Sequence, residues 1–265
     1  MNDYSSAALV IAGHGSTRSP DAGAPTLAHA EAIRKMSLFA EVAGCFWKQA
    51  PAFRDVLRLV ESREIFVVPN FISEGYFTRT VIPREMELDG PVTRRDGRVI
   101  RYCEPVGNHP HMTKLLMREA KEIAPDVPPQ EISLLLVGHG TGLDDNSAEA
   151  VRRQVRAIAA TGEYAEVLAA YLEEPPFIAE WDLLTTRPHV VVVPFFISAG
   201  PHSSRDIPAL LGIPTENGSA AGRAEGFRHN PHELRGRLLS YGRAIGTAPG
   251  FANLLLDQVK ACPAS

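Results

Sequence analysis

Short apolar runs alternate with stretches in which apolar positions return every three or four residues, and the alternation continues down the whole chain. The runs over 9–12 and 65–68 show no polar alternation, the pattern of strands buried on both faces. With a strand over 40–46 between them, they enclose a helical pattern over 26–38. A second helix is expected to start near Pro51, a residue suited to a first helical turn. A fourth strand over 101–106 and a closing helix over 112–123 complete the set. The order then recurs, with strands over 132–137, 165–171, 190–193 and 238–245 and helices over 148–160, from Pro176, and over 251–260. Such alternation predicts a parallel sheet covered on both faces. The expected fold class is α/β, two tandem doubly wound parallel-sheet domains related by internal duplication.

The duplication is visible residue by residue. Gly13-His14-Gly15-Ser16 is answered by Gly138-His139-Gly140-Thr141, and Pro69-Asn70-Phe71-Ile72-Ser73-Glu74-Gly75 by Pro194-Phe195-Phe196-Ile197-Ser198-Ala199-Gly200 at the same spacing. Ile82-Pro83 falls on Ile207-Pro208 in that register. Tyr102, Gly107 and Pro110 match Tyr241, Gly246 and Pro249 only after a shift, which places an insertion in the second copy. The stretch 214–236, rich in Gly, Ala, Asn and Arg, is expected to be that insertion and to form an irregular surface loop. The domains expected are 1–125 and 126–265, joined by a short linker around Pro125-Asp126-Val127-Pro128-Pro129.

Composition narrows the partners. The 265 residues carry a formal net charge of −4, so no global basic field exists to hold nucleic acid or an anionic membrane. The longest apolar stretch, near 190–197, is interrupted by Pro194 and is far shorter than the roughly 20 residues a bilayer requires. The N-terminus shows no secretory leader, so a cytoplasmic location is expected. Cys45, Cys103 and Cys262 are odd in number and lack CxxC spacing, which argues against a disulfide framework or a thiolate zinc site.

In a doubly wound sheet, ligands bind outside the carboxyl ends of the strands. In the second copy His139 follows the first strand, Glu173 ends the second, and His202 lies in the loop after the third. Two imidazoles and a carboxylate from adjacent strand ends suit one divalent ion. The first copy keeps His14 but places Lys48 and Phe77 where Glu173 and His202 stand, and neither of those can ligate a metal. Each of the three has a plainer reading: His139 as a turn marker, Glu173 as a solvated helix-entry carboxylate, and His202 as an ordinary loop residue. Their joint placement favours the metal. His109 and His111 are expected to help start the closing helix. His229 and His232 lie in the insertion and could collect metal, while His29 and His189 have structural readings.

These motifs, in order, resemble the class II tetrapyrrole chelatases, the CbiX/CbiK/SirB group of sirohydrochlorin chelatases, in the long two-module form. The similarity covers nearly the whole chain. It rests on Gly138-His139-Gly140, on Tyr171-Leu172-Glu173, and on 194–200 running on to His202 and Asp206-Ile207-Pro208. The resemblance implies that His139 and His202 are the catalytic pair, that Glu173 assists at the metal, and that a tetrapyrrole lies in the cleft between two α/β domains. It implies a lyase-type metal chelatase of cobalamin or tetrapyrrole synthesis. The divalent metal is a substrate, with Co²⁺ favoured and Fe²⁺ or Ni²⁺ as alternatives. The intact set lies in the C-terminal module, which departs from the long-form pattern and leaves a degenerate N-terminal site. A monomeric pseudo-dimer is expected.

Metal insertion needs bases for two pyrrole protons and ligands for the ion, and neutral imidazole serves either role. The ring is rich in carboxylates, so Thr141, Ser203, Ser204 and Arg205 are expected to bind substrate, Thr141 together with N–H groups at a helix start. No phosphate-binding glycine motif is present, so no nucleotide is expected. A histidine phosphatase would carry Arg directly before its His, where Gly13 and Gly138 stand. A non-catalytic metal or tetrapyrrole carrier would use the same residues without turnover.

Overall fold

The computed structural model describes residues 3–17, 22–140, 146–214 and 229–262. In the first copy β1 (Ala7–Gly13) lies between β2 (Glu41–Phe46) and β3 (Glu64–Pro69), all parallel. Beyond β3 run β5 (Arg98–Tyr102), parallel, and β4 (Val92–Arg95), antiparallel, giving the order β2-β1-β3-β5-β4. The second copy repeats this order as β7-β6-β8-β10-β9, built from β6 (Ile132–Gly138), β7 (Glu166–Tyr171), β8 (His189–Pro194), β9 (His232–Leu234) and β10 (Arg237–Tyr241). Every residue of β1 and β6 is buried, as expected for central strands covered on both faces.

The helices are α1 (Ala24–Lys35), α2 (Phe53–Leu59), α3 (Ile82–Glu85), α4 (His111–Ile123), α5 (Asn146–Ala159), α6 (Trp181–Leu184), α7 (Ile207–Leu211) and α8 (Phe251–Ala261). The one beginning near Pro51 starts later, at Phe53. Pro51 is used differently: its carbonyl accepts the Phe46 N–H, and the Pro176 carbonyl accepts the Tyr171 N–H.

The fourth parallel strand is shifted from the expected position, and each sheet has a fifth strand the apolar pattern did not disclose. β5 and β10 end at Tyr102 and Tyr241, where short 3₁₀ turns, Val106–Asn108 and Ile245–Thr247, follow. The fifth strands arise from two-residue hairpins. Asp96-Gly97 and Arg235-Gly236 all have positive φ, as a type I′ turn demands. The expectation of an irregular loop over 214–236 is therefore corrected at its end, where His232–Leu234 pairs antiparallel with β10. Residues 215–228 lie outside the described residues.

By compactness the chain divides into Met1–His109 with Pro249–Ser265, and Pro110–Ala248. This division is not the one between sequence halves. α4, written at the end of the first half, packs on β8, whereas α8, written at the end of the second, packs on β3 and α1. Within Pro110–Ala248 the apolar core joins Leu135, Val137, Val190 and Val192 to Trp181, Ile207, Leu211 and Tyr241. Complete burial of each such aliphatic side chain contributes about 1.5–3 kcal/mol, enough to hold the strand ends rigid. Among the described residues no helix is long and apolar enough to cross a membrane.

Candidate functional site

β6 and β8 are neighbours although β7 comes between them in sequence, so the switch point of the sheet order lies at their carboxyl ends, where ligands bind in such sheets. His139 is the first residue after β6. The turn it enters needs Gly140, at φ 65°, where a Cβ would also lie 2.6 Å from Glu174 Cγ and 2.8 Å from Tyr171 Cβ. His202 opens a single wide helical turn, His202–Asp206, closed by the Ile207 N–H donating to the His202 carbonyl. Such π-type turns often mark functional positions.

These two elements bring the imidazoles of His139 and His202 edge to face, with ring centroids 5.0 Å apart and planes at 88°. Both are partly exposed, 35% and 48%. His139 Nδ1 lies 2.9 Å from the Gly140 carbonyl oxygen, which can only accept, so that nitrogen donates. His202 Nδ1 lies 3.0 Å from Asp206 Oδ2, a carboxylate that also accepts. In a neutral imidazole, a proton on Nδ1 leaves the lone pair on Nε2, the arrangement a metal ligand or base requires.

Glu173 reaches the same place from β7, its backbone N–H donating to the His139 carbonyl. Its Oε2 lies 3.7 Å from His139 Nδ1, on the ring edge that also faces Gly140, and its side chain is 58% exposed. No choice of one ligand atom from each of His139, Glu173 and His202 puts all three within 4.8 Å of one another. The pair of imidazoles is thus assembled, and the carboxylate stands beside one of them.

The expected substrate contacts fare differently. Ser203 is buried, and its hydroxyl faces the Ser198 and Gly200 carbonyls at 3.4 Å, so it holds the loop and does not face solvent. Ser204 Oγ donates to the Gly200 carbonyl at 3.0 Å. Arg205 Nε donates to Asp206 Oδ1 at 2.9 Å while the side chain remains 73% exposed. Thr141 lies outside the described residues.

Two supporting residues were quoted from the sequence only as parts of motifs and were given no role there. Asp206 divides its oxygens between Arg205 and His202, and its signal was the spacing of four that sets both on one face of a helical turn. Tyr241, 1% exposed, donates its hydroxyl to the Ser203 carbonyl at 2.6 Å, and burial keeps that hydroxyl protonated far above its ordinary pKa. Its signal was the repeat itself: Tyr102 does the same for Thr78 in the first copy. Gly246 lets the following 3₁₀ turn approach the loop after β8, its N–H donating to the Phe196 carbonyl where a Cβ would meet the Ile197 oxygen at 2.1 Å. Tyr241→Phe is expected to lower stability by about 1–3 kcal/mol, because a buried carbonyl loses its donor. Denaturant unfolding measures this, and an unchanged midpoint would remove Tyr241 from the support of His202.

The first copy preserves the frame and changes the chemistry. His14 Nδ1 faces the Gly15 carbonyl at 2.8 Å, and the Lys48 N–H donates to the His14 carbonyl as Glu173 does to His139. Phe77 presents an edge-to-face ring 4.8 Å from His14, and the Lys48 ammonium lies 5.2 Å over Trp47. A phenyl ring and a cation stand in the first copy where the second has an imidazole and a carboxylate.

Comparison with known proteins gives one family. The CbiX family model matches residues 8–123 and again 133–262. A "Probable sirohydrochlorin cobaltochelatase" of Halobacterium salinarum is 36% identical over 95% of this chain and 90% of its own. The structure of DR2241 from Deinococcus radiodurans, described as having similarity to chelatases and two additional domains, superposes with a TM-score of 0.76 at 30% identity. That match covers 95% of this chain and 54% of the other, so this chain spans about half of that protein. SirB from Bacillus subtilis with Fe³⁺ shares the fold, with a TM-score of 0.71 at 20% identity over 97% and 96% of the two chains.

Proposed function

Because the chain belongs to the CbiX family, we propose that it is a sirohydrochlorin metal chelatase, with Co²⁺ as the favoured metal substrate and no nucleotide requirement. The observation that carries this reading is the edge-to-face pair of His139 and His202, each with Nδ1 turned to an acceptor. His139 and His202 address the incoming ion, or take pyrrole protons, through Nε2. Borderline divalent ions accept imidazole readily, which admits Fe²⁺ and Ni²⁺ as competitors.

Insertion exchanges one M²⁺ for two pyrrole protons, so the site must attract a cation and then dispose of positive charge. Glu173 and Asp206 supply negative charge beside the imidazoles, and Glu173, the more exposed, passes protons to solvent. Arg205 receives a carboxylate of the ring, its guanidinium remaining largely exposed despite its bond to Asp206.

The test is a turnover assay with sirohydrochlorin and Co²⁺ in excess over protein, without nucleotide, followed by absorbance. Many metallated rings per chain are expected. A burst that stops at one per chain would identify a carrier instead. Parallel assays with Fe²⁺ and Ni²⁺ rank the metals.

A further inference from the structure

Away from the imidazole pair, the unit formed by Met1–His109 and Pro249–Ser265 contains a cavity of about 610 Å³ whose lining includes two thiols. Cys103 directly follows β5 and donates its backbone N–H to the Val67 carbonyl at 2.9 Å. Cys262 caps the C-terminal end of α8. Both thiols open on this cavity, whose lining they share with Glu104 and Pro105. The helix is clamped there by Gln258, whose Nε2 donates to the Pro105 carbonyl at 2.7 Å.

We propose that Cys103 and Cys262 form a reversible dithiol–disulfide site, oxidised by a low-molecular-weight disulfide of the glutathione class. The thiols differ in the way such chemistry requires. Cys103 is 2% exposed, and burial pushes its pKa up. Cys262 is half-buried, and the hydrogen bond from Cys103, aided by Arg101, holds its pKa below the ordinary value. An accessible thiolate beside a cation is the attacking group, and a protected neighbour resolves the intermediate. Cys45, fully buried with its pKa raised by burial, takes no part. A metal is the weaker reading, because among the described residues no imidazole or carboxylate joins both thiols at ligand spacing.

The exchange balances. Cys262 thiolate attacks one sulfur of RSSR, the S–S bond breaks, and RS⁻ leaves. Cys103 then attacks the Cys262 sulfur, expelling a second RS⁻ that takes up the Cys103 proton. Two cysteine thiols are oxidised, and one external disulfide is reduced to two thiols. The new bond joins α8 to the end of β5.

The experiment treats the reduced full chain with excess oxidised glutathione, quenches in acid, and reads free thiols and intact mass. Of the three thiols in the chain, one is expected to remain, with no retained glutathione and a loss of about 2 Da. Cys262→Ser, at the helix end and outside the core, should retain both of its thiols, whereas Cys103→Ser should hold one glutathione on Cys262. Oxidation should raise Tm by about 5 °C, reversed by reductant. Persistent glutathione on wild-type Cys262, a bridge to Cys45 or between two chains, or no reaction at all would each overturn the proposal.

Discussion

His139→Ala and His202→Ala are each expected to lower the turnover of sirohydrochlorin metallation by about 100-fold or more, whereas His14→Ala is expected to keep a near-normal rate. The size follows from what is removed: a side chain that transfers protons in a transition state contributes about 10²–10⁴-fold, and a metal ligand carries a comparable share. The asymmetry follows from the two copies. His14 has the same turn and the same Nδ1 partner as His139, yet it faces the ring of Phe77 where His139 faces His202. One imidazole against a phenyl ring cannot close on a cation. His139 and His202 are both partly exposed, so each Ala variant should fold with little change in Tm. A dead His14→Ala variant would move the reaction to the first copy.

The second large effect is expected at Asp206. Asp206→Ala should raise the KM for metal by about 10–100-fold, the usual cost of losing the carboxylate behind a metal-binding imidazole. Without that carboxylate, His202 loses the acceptor that fixes its tautomer and orientation, and Arg205 loses its partner. Asp206 is a positioning residue, so its signature is the split between constants: KM for metal rises while kcat falls less. Asp206→Glu, which restores the charge, should recover part of the loss. Equal falls in kcat with unchanged KM would show that Asp206 acts elsewhere.

The placement of much of the candidate site was legible because its residues sit directly beside strand ends. Strands buried on both faces are read from apolar runs, and a residue at a strand's carboxyl end in a doubly wound sheet has little freedom of place. His139 and Glu173 could therefore be assigned to one rim, and the degenerate copy singled out His202 by contrast with Phe77. The hairpins were less visible, since β4 and β9 are short edge strands whose polar residues do not alternate cleanly with apolar ones. Their signal was the paired turn residues Asp96-Gly97 and Arg235-Gly236.

From the sequence alone come the duplication, the α/β class, the degeneracy of the first copy and the three side chains that mark the second. Tertiary structure alone decided that Glu173 Oε2 lies 3.7 Å from His139 Nδ1, on the ring edge that faces Gly140. It also decided that Ser203 turns inward and that α4 and α8 each serve the sheet of the other half. The reason is physical. Periodicity and spacing specify which face of an element is apolar and which strand end bears a residue. Side-chain direction and the choice between two similar sheets depend on packing and hydrogen-bond partners brought together only by the fold.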